Sequence, residues 1–161
     1  MSGADIVRLV VSVVACEGAG GIGALFARNA ISTWYASLKK PAFTPPNSAF
    51  GPVWFTLYFL MGIAVFLLWR EGVITAFVIF WVQLLLNVIW TAVFFGLRSI
   101  LGGMVMILLL WVAILASIIE AFSVSVAAGA LLIPYIVWVS IAANLNVRIW
   151  MLNRPVAQSI K

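Results

Sequence analysis

Apolar residues along this chain come in long runs broken by short polar clusters. Five stretches, 5–27, 50–69, 73–96, 101–121 and 126–151, are apolar almost throughout. A helix needs about 20 such residues to cross a bilayer, so each stretch predicts one spanning helix. A β-barrel would also satisfy its backbone in lipid, but its strands alternate apolar and polar residues over about ten positions. Residues 104–119, MVMILLLWVAILASII, do not alternate. The pattern therefore predicts an all-α integral membrane protein, a five-transmembrane-helix bundle forming a single domain over 1–161.

The connections are unequal. Three are short, at 70–72, 97–100 and 122–125, and short turns join antiparallel neighbours. The first, at 28–49, exceeds the roughly 2–8 residues usual between bundled helices. It holds Pro41, Pro45 and Pro46 together with Trp34, Tyr35, Leu38 and Phe43, a composition unsuited to a disordered linker. Residues 32–38 predict a short interfacial helix capped by Ser32 or Thr33. The Pro45-Pro46 pair predicts an extended path, and Pro52 is expected in the first turn of the second spanning helix. The whole loop reads as a lid over the bundle.

Composition agrees with this picture. The chain is 66% hydrophobic and 8% charged, against about 25% charged in soluble domains. The first segment resembles a secretory signal only superficially, because Asp5 and Glu17 are foreign to such peptides. With the amino terminus outside, the inner side receives Arg28, Lys39, Lys40, Arg98, Arg148, Arg154 and Lys161, and the outer side only Arg8 and Arg70. That bias predicts a cytoplasmic carboxyl terminus. It also accounts for the net charge of +5 without a nucleic-acid partner.

Candidate chemistry is sparse. On the third segment Gln83, Asn87, Trp90 and Thr91 recur at helical spacing and share one face. Amides in mid-membrane face protein or water, so they either tie helices together or line a polar spot in a ligand pocket. On the second segment Trp54, Tyr58 and Met61 share a face. On the fifth, Pro134 frees a carbonyl, Trp138 lies near mid-segment, Ala142 follows one turn later, and Asn144 and Asn146 come near the end. These faces predict an aromatic cavity suited to a flat ligand. Trp69, Trp111 and Trp150 are expected at the interfaces or in lipid.

On the first segment Ala15, Ala19, Gly23 and Ala27 form a small-residue stripe that admits another helix closely. Glu17 is an acid deep in a membrane segment and a functional candidate, with Gln83 or Asn87 as possible partners. Cys16 is a lone packed thiol. The chain contains no histidine, which excludes a His-ligated haem and a Ser–His catalytic system. No metal site, carboxylate pair or phosphate-binding loop is visible, and no cofactor is implied. A porphyrin would bind by stacking and shape.

The residues Trp34-Tyr35, Leu38, Lys40-Pro41, Phe43, Pro45-Pro46, Gly51-Pro52-Val53-Trp54 and Leu57-Tyr58 resemble the translocator protein family (TspO, the peripheral benzodiazepine receptor), bacterial members in particular. So do Asn87, Trp90, Phe94-Phe95-Gly96, Pro134-Tyr135, Trp138, Leu145-Asn146 and Asn153. The resemblance spans nearly the whole chain. It implies an often homodimeric five-helix bundle that binds porphyrins such as protoporphyrin IX and synthetic isoquinoline or benzodiazepine compounds. It implies that Trp54 and Trp138 face a cavity linked with porphyrin binding and breakdown, that Tyr35, Pro45, Asn87 and Trp90 line it, and that Ala142 is a small position sensitive to bulk. Asn146-Val147-Arg148 lacks the Tyr of the animal sterol pattern, so strong sterol binding is not expected. Three functions follow as expectations: a tetrapyrrole-binding translocator or sensor, a membrane enzyme that degrades porphyrin, or a regulatory partner of another membrane complex.

Overall fold

The computed structural model describes residues 2–154. The chain beyond, including Lys161 of the charge count, lies outside the described residues. Helix α1 spans Gly3–Ser32, a single turn α2 Trp34–Ser37, α3 Asn47–Glu71, α4 Ile74–Thr91, α5 Ile100–Val124 and α6 Val126–Asn153. A π-helical turn, Ala92–Gly96, continues α4. Five of these helices are long and apolar enough to cross a membrane, and no strand occurs among the described residues.

The helix ends follow local chemistry. Ser2 and Asp5 close a capping box at the start of α1, each satisfying an amide the helix leaves free. Gly72 adopts φ 72° at the end of α3, a left-handed cap that glycine takes without strain. Ser99 and Ser125 cap α5 and α6 by accepting from Gly102 and Ala128.

The main packing pairs are α5 on α6, α1 on α3, and α4 on α5, with α3 also meeting α6. In the apolar window of α3, 44% of residues are buried, against 17% in that of α1. Helix α1 is thus the peripheral one, held against α3 where Gly62 is buried. A Cβ at Gly62 would lie 2.6 Å from Val13 Cα, so only glycine permits that approach.

The first connection departs from expectation. Helix α1 runs on to Ser32, because Arg28 and Asn29 are polar but still helical. The short helix does form, yet neither Ser32 nor Thr33 caps it. Both hydroxyls instead donate back to the Asn29 carbonyl, Thr33 at 2.6 Å. Helix α3 begins at Asn47, which places Pro52 in its second turn rather than its first. Pro52 has no N–H for the Ser48 carbonyl.

Segment 38–46 is fastened down. The Lys40 ammonium donates to the carbonyls of Tyr35, Ala36 and Leu38 at 2.7, 3.2 and 3.0 Å and lies 4.9 Å from the Tyr35 ring centroid. The Asn153 side chain, at the end of α6, accepts from the Lys39 N–H at 3.0 Å and donates to the Lys39 carbonyl at 2.9 Å. Tyr35 is buried and Trp34 and Leu38 half-buried beneath this segment, whereas Phe43 is exposed.

Candidate functional site

The shared face of α4 points inward as its spacing requires. Gln83, Asn87, Trp90 and Thr91 are all buried, but the two amides have different fates. Tyr58 Oη donates to Asn87 Oδ1 at 2.7 Å, and Asn87 Nδ2 donates to Tyr135 Oη at 2.7 Å. One asparagine thereby joins α3, α4 and α6. Gln83 has no hydrogen-bond partner at either end of its amide. Neither amide meets Glu17, which is a correction to the expected pairing: Asn87 is occupied by the tyrosines.

Aromatic rings surround this triad. Trp54 stacks on Tyr58 with centroids 5.6 Å apart and lies 6.1 Å from Trp90 and 6.3 Å from Tyr135. Trp90 stacks on Phe94 at 6.2 Å and meets Phe95 edge-on. The π turn brings Phe94 and Phe95 side by side, 4.9 Å apart and nearly perpendicular. Both are buried.

Beside these rings, between α1 and α3, lies a cavity of about 360 Å³. Trp54, Tyr58, Trp90, Phe50, Phe55 and Phe95 line it from α3, α4 and the π turn, with Thr91 alongside. On the α1 side, Glu17, Gly20, Gly21, Gly23, Ala24, Ala27, Arg28 and Ile31 contribute. Gly20 packs directly on the Tyr58 ring, where a Cβ would collide with it. The Glu17 Oε1 and Trp90 Nε1 atoms are shielded from solvent and have no partner.

Of the predicted site residues, Trp54, Tyr58 and Trp90 line this cavity. The others lie elsewhere. Asn87 sits behind Tyr58 in the triad and Gln83 is enclosed in the bundle. Trp138 is half-buried with its Nε1 unpartnered, and Phe50 packs edge-on against it at 6.1 Å. Tyr35 lies beyond Phe50, at 6.3 Å, with an unpartnered hydroxyl that burial pushes up to about 12. Pro45 is half-buried in the first connection. Ala142 is half-buried and its carbonyl accepts from Asn146 Nδ2 at 2.9 Å. No residue of segment 38–46 reaches the cavity, whose lining stops at Ile31 and resumes at Phe50. The expected lid is tied instead to α2 and to the end of α6.

Apart from Glu17, a functional candidate from the sequence, the α1 wall was not among the predicted site residues. Its signal is present: 17, 20, 24, 27 and 31 recur at three- and four-residue steps, and the stripe 15, 19, 23 and 27 overlaps the wall at 23 and 27. Two neighbouring stripes of small residues look alike in sequence. Gly23 is buried against Thr91 at the edge of the cavity, whereas Gly21 meets nothing within 4 Å.

A sequence comparison decides the affiliation. Residues 12–151 match the TspO/MBR family. The chain belongs to the TspO/MBR family. It is 40% identical over 152 residues to "Tryptophan-rich protein TspO" of Archaeoglobus fulgidus, covering 92% of this chain and 99% of that one. It is 40% identical over 154 residues to "Protein CrtK" of Rhodobacter capsulatus, covering 92% and 94%. It is 35% identical over 138 residues to the human "Translocator protein", covering 82% of each. Family membership and five apolar helices together make this TspO/MBR chain a multi-pass integral membrane protein.

Proposed function

We propose that this TspO-type membrane protein is a tetrapyrrole-binding translocator or sensor that takes flat hydrophobic ligands, protoporphyrin IX among them, into the cavity between α1 and α3. The observation that carries this reading is the wall of Trp54, Tyr58, Trp90, Phe50 and Phe95 around about 360 Å³ of space. That size falls within the roughly 300–1,000 Å³ of small-ligand sites, and flat rings stack favourably on flat ligands. Phe55 and Gly51 of the lining are also exposed on the outer surface, so a macrocycle can enter from the side and keep one edge toward lipid. Synthetic isoquinoline and benzodiazepine-type compounds are expected to compete for the same wall.

The test is protoporphyrin IX titration followed by tryptophan quenching. A Trp54→Phe, Trp90→Phe double variant should lose most of the affinity. Trp138→Phe, one phenyl ring removed from the cavity, should lose less. Unchanged affinity in the double variant would sink the assignment.

The charge bias supports an outside amino terminus. Ser2→Cys in a Cys16→Ser background should label with an impermeant reagent from outside, and labelling only after permeabilisation would reverse the orientation. A homodimer is also part of this reading, supported by the groove of Ala15, Gly18, Ala19, Leu84 and Val88 between α1 and α4. Cross-linking in membranes tests it, and a purely monomeric product would remove it.

A further inference from the structure

The residue in the cavity that the tetrapyrrole reading leaves unused is Glu17. Its carboxyl borders the same space as Trp54, Tyr58 and Trp90, and its Oε1 is shielded yet accepts no hydrogen bond. Arg28, the other charged residue of the lining, stands 11 positions along α1. At about 1.5 Å of rise per residue that places its backbone roughly 16 Å away. The one ion pair among the described residues joins Arg8 to Asp5 at 3.8 Å and leaves Glu17 out. An acid at this depth with no protein partner is unfavourable unless something else meets it. Faces of tryptophan and tyrosine attract cations. An unpaired carboxyl among indole and phenol rings is the chemistry that holds an ammonium group.

We propose that Glu17 makes this cavity selective for ligands that carry a cationic nitrogen on a flat aromatic body. The carboxylate accepts the N–H of the ligand while the rings of Trp54, Tyr58 and Trp90 surround the charge and the aromatic body. A neutral ligand of the same shape would fill the aromatic wall but leave the carboxylate's charge uncompensated. The inference rests on the cavity being a ligand site, but it does not require the ligand to be a porphyrin.

The experiment compares 2-naphthylmethylamine with its neutral isostere 2-naphthylmethanol. Full-length protein is held in phosphatidylcholine nanodiscs, and binding is read by calorimetry with empty discs subtracted. The wild type should prefer the amine by about tenfold or more, as for a charge-assisted hydrogen bond reinforced by aromatic faces. In Glu17→Gln the amine-over-alcohol preference should fall to near unity. Unchanged thermal unfolding of the variant should accompany this, and Glu17→Asp should restore part of the preference. Equal affinities in the wild type, no amine binding, or a preference that survives Glu17→Gln would each overturn the proposal. Protoporphyrin IX is titrated in the same discs. Amine selectivity without porphyrin binding overturns the tetrapyrrole reading alone, whereas porphyrin binding without amine selectivity overturns the role of Glu17 alone.

Discussion

On the α5–α6 side of the bundle, large side chains meet and close: Ile107, Leu110, Ile114, Leu132 and Val139 are all essentially inaccessible. On the α1–α3 side, glycines and alanines face tryptophan and tyrosine, and a cavity remains between them. Both sides are apolar and both are helix against helix. They differ in reach, since a small residue brings backbones together at one point and leaves empty space a turn away. In lipid, where burial of apolar surface does little to hold helices together, contact shape decides which helices are firmly held. Helix α1, with the least buried apolar window, forms one wall of the cavity.

The contrast can be broken most forcefully in the closed half. Leu110→Ala should cost about 2–5 kcal/mol, the range for a buried leucine truncated in a tight core, measured by denaturant unfolding in mixed micelles. A loss below about 1 kcal/mol would mean that this half is not close-packed. The amides of α4 come next. Asn87→Ala strands two tyrosine hydroxyls and should cost about 1–3 kcal/mol, whereas Gln83→Leu removes an amide with no partner and should be neutral or stabilising. Equal losses at the two positions would refute the difference between them.

A gentler comparison uses adjacent glycines on α1. Gly20→Ala drives a methyl into the Tyr58 ring and should cost about 1–3 kcal/mol. Gly21→Ala meets nothing within 4 Å and should gain up to about 1 kcal/mol of helix stability. The smallest effect is expected at the first connection. Asn153→Ala releases Lys39 and should speed proteolysis within 38–46, with global stability changed by about 1 kcal/mol or less. Unaltered cleavage would show that Asn153 does not fasten the segment.

Much of this was legible in the sequence. The five spans follow from apolar run length, and the inward face of α4 follows from the spacing of Gln83, Asn87, Trp90 and Thr91. The fate of each amide was not legible, because it depends on tyrosines delivered by α3 and α6. Nor was most of the cavity wall on α1, since a void is defined by side chains that fail to reach it, and Gly20 and Gly21 look identical until Tyr58 is placed. The end of α1 was misjudged for a simpler reason. Arg28 and Asn29 end the apolar run, but a helix can continue into water after the hydrophobic stretch stops.

Lys40 carries a consequence in time. In the folded protein its ammonium is engaged by three backbone carbonyls and the Tyr35 ring, so little of its charge faces the surroundings. Membrane insertion, however, handles a chain in which none of those acceptors is yet arranged. On the orientation proposed above, the same lysine counts first as a free charge during insertion, and only afterwards as a structural pin. Replacing it would confound two events, one during synthesis and one after folding, and a defect seen in the finished protein could have been decided before the protein had a shape.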